Sequence, residues 1–321
     1  MRKTDTTKPS HSPLLVILGP TASGKTSLAV RAALQLQGEI LSADSRQVYQ
    51  GMDVGSGKDL KEYTIEGKTI PYHLIDLLPA GENYNLFRFQ RDFDLAYKDI
   101  KKRGKIGILC GGSGLYLEAA LMDRFLEMVP IQKDLRHSLQ SFTKEELVAK
   151  LQSYGPLHNH TDTQDLNRCL RAIEIAEFEQ KNPRPKRICP EAFLVGIQFE
   201  AALLRERIAL RLRQRMENGL IEEVSGLLNQ GLKAENLQYY GLEYRFVTDY
   251  LLGKYTRESL YEKLYTAICQ FAKRQRTWFR KMEKEGHQIH WINGSDSLTE
   301  QLQKVEAGYR NYQNSISSPS A

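Results

Sequence analysis

Cysteines are few in this sequence, and long apolar runs are missing. Cys110, Cys169, Cys189 and Cys269 lie far apart and form no Cys-x-x-Cys pair, so neither a disulfide framework nor a cysteine-bound zinc site is indicated. No segment approaches the roughly 18 apolar residues of a membrane-spanning helix. Residues 1–13 lack the apolar centre of a signal peptide. We therefore expect a cytoplasmic protein with reduced thiols and no membrane partner.

Length and charge limit the number of domains and the kind of partner that we expect. The 321 residues are 41% hydrophobic, which is enough for one large core or two smaller ones. The formal net charge is +6, from 45 basic and 39 acidic residues, and the pI is near 9.0. Such a chain suits a polyanionic partner without requiring one. We expect a main domain that carries a smaller one.

The strongest motif is a glycine-rich loop. Residues 19–26 read GPTASGKT, a G-x-x-x-x-G-K-[ST] phosphate loop, directly after the apolar run LLVIL. In such loops the backbone N–H groups turn toward an anion, the lysine adds a positive charge, and the Ser/Thr hydroxyl reaches a Mg²⁺ ion. We predict that the loop binds a diphosphate or polyphosphate. The predicted binding residues are Gly19, Pro20, Thr21, Ala22, Ser23, Gly24, Lys25 and Thr26.

Short apolar runs alternate with amphipathic stretches, which is typical of an α/β fold with a parallel sheet. The apolar runs are residues 14–18, 39–42, 106–110, 193–199 and 287–292. Residues 133–179 are polar with a helical pattern, and the following NPRPKRICP segment breaks the helix. We predict a P-loop parallel-sheet core at residues 12–126 and 184–315, with C-terminal helices. An inserted helical subdomain occupies 127–183, and tails occupy 1–11 and 316–321.

Basic side chains follow helical spacing in the C-terminal part. Every fourth residue from Leu204 to Met216 is apolar, and Arg207, Arg211 and Arg215 form the adjacent stripe. For Arg213 and Arg215, exposure to solvent and contact with a phosphate are equally consistent with the sequence. Residues 273–284 hold six basic side chains and one acidic side chain, beside an apolar stripe of core residues. This second stretch predicts a nucleic-acid backbone surface.

Polar residues follow two of the predicted strands. Asp44 and Ser45 follow the second strand, and Ser113 stands in a GGSG turn after the third. Because ligands bind at the carboxyl ends of parallel strands, Asp44 is a candidate base or metal partner, and N–H groups converge at the GGSG turn. His73 lies beside a short predicted strand, and a lone histidine in such a place more often has a structural role than a functional one.

These motifs resemble a known family when taken together. GPTASGKT, ADSRQVYQGMDVGSGK, YHLID, GGSGLYL and KRQRTWFR are similar, in order and spacing, to the motifs of tRNA dimethylallyltransferases, also called tRNA isopentenyltransferases. The resemblance covers most of the chain. It implies transfer of a five-carbon prenyl group from dimethylallyl diphosphate to the exocyclic amine of the adenosine 3′-adjacent to the anticodon.

The resemblance also implies roles for individual residues. Asp44 would accept the proton of the adenine amine, and Ser113 would hydrogen-bond at the reacting centre. Lys25, the loop N–H groups, Arg211 and a Mg²⁺ ion held partly by Thr26 would stabilise the leaving diphosphate. The adenine would leave the anticodon-loop stack to enter the site. We expect a monomer that binds the tRNA anticodon stem-loop through Asp44, Ser45, Arg46, Gln47, Arg168, Arg171, Arg245, Lys273, Arg274, Gln275, Arg276 and Arg280.

The chain departs from the family pattern at three places. Ser113 replaces the usual Thr, which keeps the hydroxyl. YYGLEYR stands where an I-G-Y-like segment is common, and HNHTDTQDL replaces an H-P-x-D turn. In the latter, His158 and His160 have no evident third metal ligand, so a solvated turn is favoured. No zinc-finger extension follows the last helix, which indicates a bacterial-type enzyme.

Three alternatives come from other classes. A P-loop kinase or ATPase lacks support here, because no apolar strand ends in a convincing Walker B carboxylate and no arginine-rich lid is evident. A prenyltransferase for free adenine nucleotides would share the catalytic part of the chain. The basic C-terminal helix favours polymeric RNA as the acceptor instead. A catalytically silent tRNA-binding protein would not need Lys25, Thr26 and Asp44.

Overall fold

The computed structural model describes residues 12–155, 163, 165–182 and 186–317. The predicted tail at 1–11, and His158 and His160, lie outside the described residues. The chain divides into two compact units, one of Met1–Leu121 with Pro190–Ala321 and the other of Met122–Cys189. Among the described helices, none is long and apolar enough to cross a membrane.

The first unit is built on a parallel sheet. The strands are β1 (Leu14–Leu18), β2 (Gly38–Ala43), β3 (Tyr49–Gln50), β4 (Thr64–Ile65), β5 (Lys68–Thr69), β6 (Tyr72–His73), β7 (Leu78–Pro79), β8 (Ile106–Gly111), β9 (Ala192–Gln198) and β10 (Ile289–Asn293). In the described residues, six of them form one sheet in the order β10-β9-β1-β8-β2-β6, and every pair in it is parallel. The predicted α/β P-loop fold class is confirmed.

Twelve α-helices complete the described part of the chain. They are α1 (Lys25–Leu36), α2 (Leu86–Lys102), α3 (Gly114–Leu121), α4 (Lys133–Ser138), α5 (Lys144–Ser153), α6 (Leu166–Lys181), α7 (Ala201–Glu217), α8 (Leu220–Asn229), α9 (Ala234–Tyr239), α10 (Leu242–Leu251), α11 (Arg257–Lys284) and α12 (Leu298–Ser317). Helix α12 extends into the segment expected to be a C-terminal tail.

Burial follows the apolar pattern of the sequence. Every residue of β1 and β2 is buried, as in central strands of a parallel sheet that is covered on both faces. Helix α11 begins at a Thr256 cap, whose side chain accepts the N–H of Ser259. Its buried apolar residues recur at helical spacing, and they are Leu260, Leu264, Ile268, Ala272, Phe279 and Met282. The predicted apolar stripe also included Phe271, which is 37% exposed, and Tyr261, Tyr265 and Trp278, which are half-buried.

The second unit contains α4, α5 and α6. Its own core consists of Leu139, Leu147, Leu151, Cys169 and Ile173. A capping box between Thr143 and Glu146 begins α5. The unit is helical, as the polar pattern of residues 133–179 predicts. Its bounds, Met122–Cys189, are wider than the 127–183 of the predicted insertion.

Candidate active site

A cavity of about 570 Å³ opens where β1, β2 and β8 end. These three strands are neighbours in the sheet, so the polar residues that follow each of them come together. Among the predicted site residues, the cavity is lined by Thr21, Lys25, Thr26, Asp44, Ser45, Arg46, Gln47, Ser113, Arg211, Arg245, Arg274 and Gln275. The structure therefore gathers the predicted catalytic groups in one place.

The phosphate loop connects β1 to α1. Gly24 adopts a left-handed conformation, with φ of 83°, which suits glycine and directs the chain into the helix. Lys25 Nζ donates to the Pro20 carbonyl at 3.3 Å. Burial lowers the pKa of Lys25, and the nearby Arg211 cation lowers it further. The loop thus directs the N-terminus of α1 and the half-buried Lys25 cation toward the cavity.

The turn after β2 is held by its own side chains. Asp44 Oδ1 accepts the Arg46 N–H at 2.8 Å. Gln47 is buried; its Oε1 accepts from Ser42 at 2.7 Å and its Nε2 donates to Gly57 O at 3.1 Å. Asp44 is thereby fixed at the cavity wall. The Gln47 amide, predicted to contact tRNA, already has internal partners.

Ser113 stands immediately before α3. Its carbonyl accepts the N–H groups of Tyr116 and Leu117, at 2.9 and 3.0 Å, so the backbone of Ser113 begins the helix. Ser113 also lines the cavity, as Asp44 does. The hydroxyl is therefore available to the same ligand as the carboxylate.

Gln275 joins the phosphate loop to the turn after β8. Its Oε1 accepts the Thr21 N–H at 2.8 Å, and its Nε2 donates to Gly112 O at 2.9 Å. The side chain is 7% exposed. This buried side-chain amide holds two loops of the site in position. The motif KRQRTWFR does not show whether Gln275 has this structural role or contacts RNA.

The arginine stripe of α7 approaches the phosphate loop. Arg207 Nε donates to Ala22 O at 2.8 Å, Arg211 Nη2 contacts Asp59 Oδ2 at 2.5 Å, and Arg215 Nη1 contacts Glu243 Oε1 at 3.2 Å. Arg213 makes a different contact, since its Nε donates to the Tyr261 hydroxyl at 3.3 Å. The fourfold spacing of the arginines therefore directs three cations to one side of the helix, beside the loop.

Residues 53–58 form a glycine-containing segment of the cavity wall that two side chains hold in place. Glu223, on α8, accepts the N–H groups of Asp53, Val54 and Gly55 at 2.7, 2.6 and 2.9 Å. Lys58 is fully buried and donates to Asp53 Oδ1 at 2.6 Å. It also donates to Asp76 Oδ1 at 2.5 Å and to the Tyr49 carbonyl at 2.7 Å.

Sequence reasoning did not identify Glu223 or Lys58. The signal for Lys58 is its place directly after two closely spaced glycines in MDVGSGK, whereas Glu223 lies in an ordinary helical pattern. Glu223 pairs with backbone N–H groups far away in the chain, and Lys58 pairs with two carboxylates and a backbone carbonyl. Only the folded chain brings these groups together.

Five predicted tRNA contacts do not line the cavity. Lys273 and Arg280 are exposed and Arg276 is half-buried, all on α11. In the second unit, Arg168 is exposed on α6. Arg171 is engaged internally, since it contacts Glu174 Oε2 at 2.9 Å and Val129 O at 2.6 Å.

His73 has a structural partner in the folded chain. His73 Nε2 contacts Glu39 Oε2 at 2.7 Å, which is the fold contact expected of this histidine. Among the described residues, no three His, Cys, Asp or Glu side chains are grouped as a metal site.

Comparison with known proteins gives a consistent result. A family described as IPP transferase matches residues 47–282, and one described as Isopentenyl transferase matches residues 12–72. The chain is 49% identical to tRNA dimethylallyltransferase 2 of Bacteroides fragilis, over 91% of this chain and 96% of that protein. It is 52% identical to tRNA dimethylallyltransferase 2 of Porphyromonas gingivalis, over 91% and 97%. The crystal structure of tRNA isopentenylpyrophosphate transferase from Bacillus halodurans matches with a TM-score of 0.69 and 30% identity, over 95% of this chain and 99% of that one.

Proposed function

Because the chain belongs to the IPP transferase family, we propose that it transfers a dimethylallyl group from dimethylallyl diphosphate to tRNA. The acceptor is the exocyclic amine of the adenosine 3′-adjacent to the anticodon, and diphosphate is released. The observation that carries the proposal is the convergence of Lys25, Asp44, Ser113 and Arg211 on one cavity.

The reaction is a substitution at an allylic carbon. The amine nitrogen forms a bond to that carbon, the bond from the carbon to the diphosphate oxygen breaks, and the amine loses one proton. Asp44 is the base to which we assign that proton, because its carboxylate lines the cavity and one of its oxygens is already held by the Arg46 N–H. Ser113 supplies a hydroxyl on the same cavity wall.

The leaving diphosphate needs positive partners. We assign this role to Lys25, the N–H groups at the start of α1 and Arg211. The Thr26 hydroxyl lines the same cavity, and Mg²⁺ is ordinarily held by one or two protein ligands together with substrate phosphates. The residues present therefore suit this ion. When bound, Mg²⁺ stabilises the negative charge of the diphosphate.

Contact with tRNA is assigned to the basic side of α11 and to the cavity rim that contains Arg46, Arg245 and Arg274. Lys273 and Arg280 are exposed, as phosphate contacts require. We also propose that the protein acts as a monomer in the cytoplasm, where its tRNA substrate is found. Light scattering after size exclusion tests this proposal, with an expected mass of 36.8 kDa.

A transfer assay tests the proposed reaction. Purified protein, Mg²⁺ and labelled dimethylallyl diphosphate are combined with unmodified tRNA, AMP or ATP. We expect label only in the tRNA. A matched tRNA with guanosine at the target position should take no label, because C6 of guanine carries oxygen instead of an amine. Label on AMP or ATP would identify a free-nucleotide prenyltransferase, and ATP hydrolysis without labelling would identify a different P-loop enzyme.

A further inference from the structure

A second cavity, of about 350 Å³, also borders the phosphate loop. Its lining includes Ala22, Gly24 and Arg207. Among the residues that the structure describes, four line both this cavity and the 570 Å³ cavity: Lys25, Thr26, Arg211 and Arg215. Three of the four carry a positive charge, so the junction of the two cavities favours an anion.

Two arginines of the α7 stripe, Arg211 and Arg215, contact a carboxylate, and Arg215 is the less exposed of the two. Its side chain is 12% exposed, against 30% for Arg211. Its Nη1 contacts Glu243 at 3.2 Å, while its Nε is buried and has no hydrogen-bond partner among the described residues. A guanidinium has five N–H donors, and the contact with Glu243 leaves the buried Nε donor without a protein partner, which is costly unless a ligand supplies one.

The backbone of the cavity wall makes room for this guanidinium. A Cβ added at Gly57 would lie 1.8 Å from Arg215 Nη2 and 2.8 Å from Arg211 Nη2. Gly57 also has a φ of +64°, a conformation that side chains disfavour. A glycine at this position lets both arginines approach the junction together.

We propose that Arg215 is a second arginine, beside Arg211, that binds the diphosphate of the prenyl donor and of the released product. This inference rests on the proposed function. A planar guanidinium suits a diphosphate because two parallel N–H groups can donate to two phosphate oxygens. Burial and the neighbouring Arg211 cation lower the pKa of Arg215. A bound anion would offset both effects by stabilising the charged guanidinium.

The first test measures binding of inorganic pyrophosphate with Mg²⁺ by calorimetry. We expect Arg215→Met to raise the Kd by about 10- to 100-fold, and Arg215→Lys to raise it less, because a point charge remains. The matched control is Arg213→Met on the same helix, since Arg213 is exposed and contacts Tyr261. The control should bind pyrophosphate as the natural protein does.

Removing Arg215 also leaves Glu243 without its cation, and the freed carboxylate would itself repel an anion. The double variant Arg215→Met with Glu243→Gln removes that charge. Binding that stays weak in the double variant supports direct contact by Arg215. Recovery of the natural Kd, or an unchanged Kd in Arg215→Met, would overturn the proposal and leave Arg215 as a structural partner of Glu243.

Steady-state transfer separates this inference from the proposed function. Arg215→Met should raise the KM for dimethylallyl diphosphate or lower kcat, while the KM for tRNA stays within about 2-fold. If the natural protein binds pyrophosphate but prenylates no tRNA, the proposed function fails and the binding comparison still decides the role of Arg215. If the natural protein prenylates tRNA and Arg215→Met does so equally well, only the arginine assignment fails.

Discussion

Single side chains at the ends of neighbouring strands decide the chemistry of this site. Asp44 follows β2 and Ser113 follows β8, and both face the cavity that the phosphate loop borders. Asp44 Oδ1 is fixed by the Arg46 N–H, so the other carboxylate oxygen is the candidate proton acceptor. Each role can be tested by a substitution that keeps the shape of the side chain.

Asp44→Asn should lower kcat by about 100- to 10,000-fold, because the amide keeps the Arg46 hydrogen bond but cannot accept the proton. Binding of tRNA, measured by filter retention, should change by less than about 3-fold. An equal loss of tRNA binding and of rate would contradict the role of Asp44 as a base.

Ser113→Thr and Ser113→Ala form a matched pair. The threonine keeps the hydroxyl and should retain a rate within about 5-fold of the natural protein, whereas the alanine should lose about 10-fold or more in kcat. Single-turnover transfer rates give the comparison. Equal activities of the two variants would show that the hydroxyl does not act in the reaction.

At the scale of elements, the site depends on contacts that join distant segments. Helix α8 holds residues 53–55 through Glu223, and α11 holds the phosphate loop through Gln275. Tyr244 OH also donates to Glu223 Oε1 at 2.8 Å. These contacts link helices of the C-terminal part to the loops that follow β1, β2 and β8.

Glu223→Gln should lower the free energy of unfolding by about 1–3 kcal/mol, because an amide places N–H donors against backbone N–H donors. Tyr244→Phe removes one hydrogen bond to the same carboxylate and should cost about 1 kcal/mol. Urea denaturation measures both. A Glu223→Gln variant as stable as the natural protein would mean that the three backbone contacts contribute no net stability.

In the second unit, α6 depends on a buried carboxylate. Burial alone would raise the pKa of Glu174, but hydrogen bonds from Arg136 and Arg171 outweigh it and lower the pKa to about 2. The folded-state pKa is thus below the ordinary value of 4.5. The stabilisation is therefore complete above pH 4.5 and is lost as the pH falls toward about 2.

Glu174→Gln should lower the free energy of unfolding by about 3 kcal/mol at pH 7. The difference from the natural protein should shrink as the pH falls from 4.5 to about 2. Urea titrations at several pH values test both statements. Glu177→Gln, on the same helix and paired with Lys181 near the surface, is the control and should cost less than about 1 kcal/mol. A pH-independent difference for Glu174→Gln would exclude the ionised carboxylate as its cause.

For the molecule as a whole, the basic excess suits a polyanion such as the proposed tRNA substrate. Binding through several phosphates weakens steeply with salt, and each phosphate contact adds about 0.7–0.9 to the slope of log Kd against log salt. Replacing Lys273 and Arg280 by Gln together should lower that slope by about 1 to 2. Arg310→Gln, an exposed site on α12, should leave it unchanged. A slope unaffected by the α11 pair would place the tRNA elsewhere.

From the sequence alone, the α/β class, the position of the phosphate loop and the convergence of Asp44 and Ser113 could be predicted. Each depends on local periodicity or on the rule that parallel strands place their carboxyl ends on one edge. The folded chain was needed to show that Gln275 and Gln47 have internal partners and that Glu223 and Lys58 hold the cavity wall. It also showed that Arg215 is mostly buried while Arg213 is exposed. Those outcomes depend on contacts between segments far apart in the chain, which helical spacing or composition does not specify.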